Sequence, residues 1–85
     1  MYRIEFTAAT VRDFKALDKP MQRRVDKALA ILKETPRPPK AVRLQGGLHD
    51  YHRIRVGDFR IIYLIEDDKL VICVVRIADR KEVYR

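Results

Sequence analysis

The most constraining stretch of this 85-residue chain is Tyr51–Arg60, which reads Tyr-His-Arg-Ile-Arg-Val-Gly-Asp-Phe-Arg. Gly57-Asp58 separates two runs of β-forming residues. Glycine at the first central position of a two-residue loop suits a type II′ turn, whose twist matches the strands on either side. Such a loop sets the register: Val56 opposite Phe59, Arg55 opposite Arg60, Ile54 opposite Ile61. Side chains alternate between faces along a strand. Tyr51, Arg53, Arg55, Arg60, Ile62 and Leu64 therefore share one face, and Ile54, Val56, Phe59, Ile61 and Tyr63 the other. Three arginines gather over an apolar layer. Arg55 directly across from Arg60 opposes folding, and a bound anion would relieve that repulsion.

The rest of the chain supplies a cover for the apolar side. Tyr2–Phe6 alternates like a strand, and Thr7 is a suitable N-cap. Over Ala8–Leu17, three-residue steps from Ala8 through Val11 and Phe14 to Leu17 predict a short amphipathic helix, with Arg12, Asp13 and Lys15 toward water. Asp18-Lys19-Pro20 restarts the helix, since Asp18 can cap and proline is tolerated in a first turn. The second helix is predicted to run to about Thr35, burying Met21, Val25, Ala28, Leu29 and Leu32. So short a link predicts an antiparallel helix hairpin. Pro36-Arg-Pro-Pro39 stops the helix, and Val42–Leu44 allows a short extended piece. Gly46-Gly47 reads as a turn, because no phosphate-loop spacing surrounds it.

A strand to about Ile65, a turn in Glu66–Lys69 and a strand Leu70–Ala78 follow the hairpin. A two-residue turn would bury Arg76 under the helices beside Ile72 and Val74. A three-residue turn sets Arg76, Ala78 and, if extended, Arg80 on the face of Arg60. The second is preferred, because an unpaired buried arginine is expensive. The expectation is an α+β fold in one domain over residues 1–85: an N-terminal strand, a two-helix hairpin and a three-stranded antiparallel meander, making a four-stranded sheet. Its uncovered face, with Ile62 and Leu64 beside arginines, suggests a protein partner as well as an anion.

Charge narrows the choice of partner. The formal net charge is +7 and the pI near 9.9, which points to a polyanion. No apolar run approaches a membrane span, and Met-Tyr-Arg-Ile-Glu-Phe has no apolar signal region, so no membrane role is expected. The lone Cys73 excludes an internal disulfide and a zinc pattern, and suits a reducing, cytoplasmic location with Cys73 as a small hydrophobe. No metal or other cofactor is implied.

The chemistry-bearing residues are the arginines. Guanidinium forks match phosphate oxygens and stay charged. Arg76 and Arg80 extend the hairpin set, and Tyr84, close in sequence to Arg80, is of a type that can stack on a base or donate a hydrogen bond. A second basic surface, Arg12, Lys15, Lys19, Arg23, Arg24 and Lys27, reads first as a solvated helix face; on so basic a chain it also suits a nucleic-acid backbone. His49 and His52 fall on opposite faces. His52 shares the parity of Ile54, as a structural core histidine would, and His49 lies roughly 20 Å along the strand from Arg55. Asp67-Asp68 reads as turn chemistry. No Ser-His-Asp logic is present. RNA, however, brings its own nucleophile, the 2′-OH, and arginines serve phosphate positioning and charge stabilisation.

Leu44-Gln-Gly46, the stretch Tyr51–Tyr63 and the ending Arg76-Ile-Ala-Asp-Arg-Lys-Glu-Val-Tyr84 resemble the RelE branch of the RelE/ParE toxin superfamily, over essentially the whole chain. The resemblance implies a toxin of a type II toxin–antitoxin pair, a messenger-RNA interferase that cuts codons in the ribosomal A site. It implies as partners a RelB-type antitoxin, the ribosome and mRNA, and operator DNA indirectly through the antitoxin complex. It places the paired basic residues of the first hairpin strand on Arg53 and Arg55, the scissile-phosphate arginine on Arg60, the leaving-group arginine on Arg80 and the base-stacking tyrosine on Tyr84. Lys81 in the same tail joins Arg76 as an RNA contact. The chain departs from the best-known bacterial form, which has lysines at the first pair. Arginine holds its proton, so these residues identify no general base. A ParE-like inhibitor of DNA gyrase and a non-catalytic nucleic-acid-binding module are the alternatives.

Overall fold

The computed structural model describes residues 1–44 and 51–79. Its elements are β1 (Arg3–Phe6), α1 (Ala8–Lys15), α2 (Lys19–Glu34), β2 (Val42–Arg43), β3 (Tyr51–Val56), β4 (Phe59–Glu66), one 3-10 turn (Asp67–Lys69) and β5 (Val71–Asp79). The strands form one sheet in the order β1-β5-β4-β3-β2. β1 runs parallel to β5, and every other neighbouring pair is antiparallel. The α+β class is as expected, but the sheet has five strands rather than four. The extra one is Val42–Arg43, which pairs with Arg53 and His52. Two residues are too few to show a strand periodicity.

The hairpin adopts the expected register, with Val56 opposite Phe59, Arg55 opposite Arg60 and Ile54 opposite Ile61. Gly57 has φ +60° and Asp58 does not, the combination a type II′ turn needs. Ile54, Val56, Ile61, Tyr63 and Ile65 are buried on one face, against Val25, Ala28, Leu29 and Leu32 of α2 and Leu17 before it. Burial of a side chain such as Leu32, which has no exposed area, contributes about 1.5–3 kcal/mol. Tyr63 is also fully buried, and its hydroxyl donates to the Pro36 carbonyl at 2.8 Å. That bond ties the proline loop after α2 to the sheet. His52 is buried and stacks on Tyr63, ring centres 5.8 Å apart, as its parity predicts.

Both helix starts are capped as expected. Thr7 accepts from the Thr10 N–H, and Asp18 from the Met21 N–H at 2.9 Å with Pro20 in the first turn. The Gln22 amide then donates to the Phe14 and Leu17 carbonyls, which fixes the link between the helices.

Two expectations fail near β5. The connection from Glu66 to Val71 is four residues long, with Leu70 in the left-handed region at φ 53°. It is neither the two- nor the three-residue turn. Instead a bulge shifts the register between Ile62 and Tyr63, whose partners are Arg76 and Val74. The bulge places Ile72, Val74 and Ile77 in the core and still sets Arg76 opposite Ile62. One extra residue reverses the facing of everything after it.

α1 is the second departure. Ala8 and Val11 are exposed, Val11 at 38%, and the buried residue is Thr10. Asp13 does not face water. The helix ends at Lys15 rather than Leu17. β1 pairs with β5 only as far as Val74, so the backbone edge beyond needs polar partners, and α1 supplies them. The Thr10 hydroxyl donates to the Val74 carbonyl at 2.6 Å and the Thr7 hydroxyl to the Val75 carbonyl at 3.2 Å. Asp13 accepts from the Ile77 N–H at 2.9 Å. The stripe that packs is polar, so apolar spacing pointed to the wrong face.

No described helix is long and apolar enough to cross a membrane.

Candidate nucleic-acid interface on the open sheet face

The sheet face turned away from α2 is built in rows by the strand register. Nearest the hairpin turn, Arg55, Arg60 and Ala78 lie side by side. The next row is Val42, Arg53, Ile62 and Arg76. A third row runs Tyr51, Leu64, Cys73 and Glu5. Arg53 and Arg76 thus flank the half-buried Ile62, and Arg60 projects from the same strand two residues away. Directly opposed side chains such as Arg55 and Arg60 have Cβ atoms about 4.5–5.5 Å apart. The Arg55 Nε donates to the Gly57 carbonyl at 3.0 Å, which pins that side chain at the hairpin tip.

Arg76 is held differently. Its Nε and Nη2 donate to the two Asp13 carboxylate oxygens at 2.8 and 3.3 Å. The arginine side chain is 48% exposed and the carboxylate 16%. Partial burial pushes the Asp13 carboxyl up. The Arg76 hydrogen bond, the Ile77 N–H and the charges of Arg76 and Arg12 outweigh it and hold the group below its usual value. Asp13, expected to face water, therefore orients one of the candidate arginines and joins α1 to the site. The residue pattern held no signal for it, because its partners lie on a strand over sixty residues later.

Other electrostatics are structural. Asp67 is more than turn chemistry: it accepts from the Tyr2 hydroxyl at 2.6 Å and from Arg37 at 2.8 Å. The Arg37 bond and then the Tyr2 bond lower the Asp67 pKa, and the bond to Asp67 raises that of Tyr2 against the opposing charge of Arg37. Burial, with Glu5 and Glu66 nearby, pushes the half-buried Cys73 thiol up, which suits a small hydrophobe rather than a nucleophile.

The fold thus brings Arg53, Arg55, Arg60 and Arg76 together on one face. Arg12, Lys15, Lys19, Arg23, Arg24 and Lys27 are exposed and are carried by the two helices rather than by those strand rows. Arg80, Lys81, Tyr84 and His49 lie outside the described residues, as does Gly46-Gly47. Among the described residues no group of three or more His, Cys, Asp or Glu is disposed to hold a metal ion.

The fold has counterparts among known proteins. Residues 4–84 match the family model described as ParE toxin of type II toxin–antitoxin system, parDE. The chain belongs to the RelE/ParE toxin superfamily. Within it the resemblance is to the RelE branch. An Escherichia coli RelE-like toxin protein is 31% identical, over 98% of this chain and 90% of its own. RelE in the archaeal RelE–RelB complex from Pyrococcus horikoshii superposes with a TM-score of 0.83 at 29% identity, over 93% of this chain and 94% of that one. The isolated E. coli RelE toxin shares the fold, with a TM-score of 0.78 at 24% identity over 99% and 92% of the two chains. The chain is a RelE-like toxin of the type II toxin–antitoxin class.

Proposed function

We propose that this toxin is a ribosome-dependent endonuclease that cuts mRNA in the A site. The observation that carries the reading is the arginine face, where Arg53, Arg55 and Arg60 share one side of the hairpin. In the reaction the 2′-oxygen attacks the adjacent phosphorus in line, and the bond from phosphorus to the 5′-oxygen breaks. A 2′,3′-cyclic phosphate and a 5′-hydroxyl result. Arg60 stabilises the charge on the non-bridging oxygens, and Arg53 and Arg55 hold the strand, with Arg76 as a further contact. By the family resemblance, Arg80 stabilises the charge on the leaving 5′-oxygen, which takes its proton from water, and Tyr84 stacks on the base; Lys81 adds a contact. Arginine does not release its proton at neutral pH. The group that takes up the 2′-OH proton is therefore assigned to the ribosome–mRNA complex, which gives the ribosome dependence a chemical cause.

The P. horikoshii relative was crystallised with RelB, which supports an antitoxin of the same kind as partner here, with operator DNA reached through that complex. The setting is the cytoplasm. The matching family model is named for ParE, which favours gyrase inhibition as a second reading. Primer extension on mRNA, naked and in a reconstituted translation system, separates the two. The nuclease reading expects A-site cuts only with ribosomes and normal gyrase supercoiling. Absent cuts together with blocked supercoiling would reverse the assignment.

A further inference from the structure

A second cationic feature lies on the other side of the hairpin tip. A groove of about 350 Å³ opens between α2, the loop before β2 and the β3–β4 turn. Arg24 and Lys27 from α2, Lys40 from the loop and Arg55 from β3 line it, around Ile31 and Val56. Among the described residues, no carboxylate lines it. Gly57 is where the cations converge. A Cβ on Gly57 would come within 3.0 Å of the Arg24 Nη1, and the Gly57 carbonyl accepts from the Arg55 Nε. Two guanidinium groups thus meet at one glycine, with two lysines beside them. Like charges so placed repel, and an anion between them is the natural counterpart.

We propose that this groove is a second phosphate-binding site, which grips the backbone of an RNA strand that also contacts the arginine face. Arg55 belongs to both surfaces. In the sheet it stands in the row with Arg60, and at the tip it lines the groove. The helix cations and the hairpin arginines, separate in the sequence, join there into one track with Lys40. Phosphodiesters repeat along a strand as these cations do along the track, whereas an apolar peptide would find Ala28, Ile31 and Val56 interrupted by four charges. The proposal deepens the RNA reading above and rests on it for the identity of the polymer.

The test is salt-dependent binding of a short 2′-O-methyl RNA, which cannot be cleaved, to the full chain by fluorescence anisotropy. Neutralising two phosphate contacts with Lys27→Gln and Lys40→Gln together should flatten the plot of log affinity against log salt by about 1.4, at about 0.7 per contact for single strands. Lys33→Gln, the same charge loss elsewhere on α2, should leave the slope at its wild-type value. An unchanged slope in the folded double variant overturns the proposal. So does a loss of affinity for an acidic oligopeptide with RNA binding intact, which would make the groove a protein-docking site. Because the RNA cannot react, a protein that never cuts mRNA but loses slope in the double variant would sink the nuclease reading and keep the groove.

Discussion

The two faces of the sheet obey opposite rules. The face beneath α2 places Ile54, Ile61, Tyr63 and Val74 where water is excluded, and each contributes to stability through area and packing. The open face sets Arg55 against Arg60 and Arg53 beside Ile62, and like charges directly across strands oppose folding. Charges kept close at a cost to the fold are what a phosphate-binding site requires, and real sites break local folding rules in this way. The comparison therefore separates residues that make the protein fold from residues that make it act.

Substitutions should break along that line. The largest stability effect is expected on the covered face, where Leu32→Ala should cost about 2–5 kcal/mol in urea unfolding. A cost below about 1 kcal/mol would mean that α2 packs loosely. Next, Arg60→Ala should slow ribosomal cleavage roughly 10²–10³-fold, the usual loss when a preorganised charge-stabilising donor is removed, with stability nearly untouched. Cleavage at the wild-type rate would remove Arg60 from the site.

Asp13→Asn sits at the boundary of the two faces. It should cost about 1 kcal/mol, because a hydrogen bond to a charged group is lost but Arg76 is half exposed and screened. The pH dependence follows from the sign of the shift. The folded carboxyl lies below its unfolded value, so its contribution is complete above the usual carboxylate pKa. It is lost as the pH falls below about 4 through the lowered folded value. The wild-type protein should lose that increment on acidification and Asp13→Asn should not; parallel acid profiles would contradict it. Smallest of all, added NaCl should raise the wild-type unfolding free energy by screening the open face, by roughly 0.2–1 kcal/mol, and by less in Arg60→Gln, read from the shift of the urea midpoint. A midpoint that falls with salt would show that attractive surface pairs dominate instead.

Much of this division was legible before any coordinates. The Gly57-Asp58 turn fixed the pairing of Arg55 with Arg60, and parity then assigned every residue of the hairpin to its face. α2 was readable because its buried positions are apolar and evenly spaced. α1 was not, because its packed stripe is Thr7, Thr10 and Asp13, which bond to the β5 backbone, and no hydrophobic period marks such a contact. The bulge near Val75 was hidden for a different reason. Two turn lengths each satisfied part of the pattern, and one inserted residue satisfies all of it. In the candidate site, the hairpin arginines were visible from alternation alone. Asp13 as the anchor of Arg76 and the meeting of Arg24 with Arg55 at Gly57 depend on long-range packing.

The central claim is that the open face carries the chemistry and contributes little to the fold. The direct measurement takes one preparation of the Arg53→Ala, Arg55→Ala, Arg60→Ala triple variant and records both its urea unfolding and its cuts in translating mRNA. The account predicts a midpoint equal to or above that of the wild-type protein, and no A-site cuts. A folded triple variant that cleaves at the wild-type rate would contradict it.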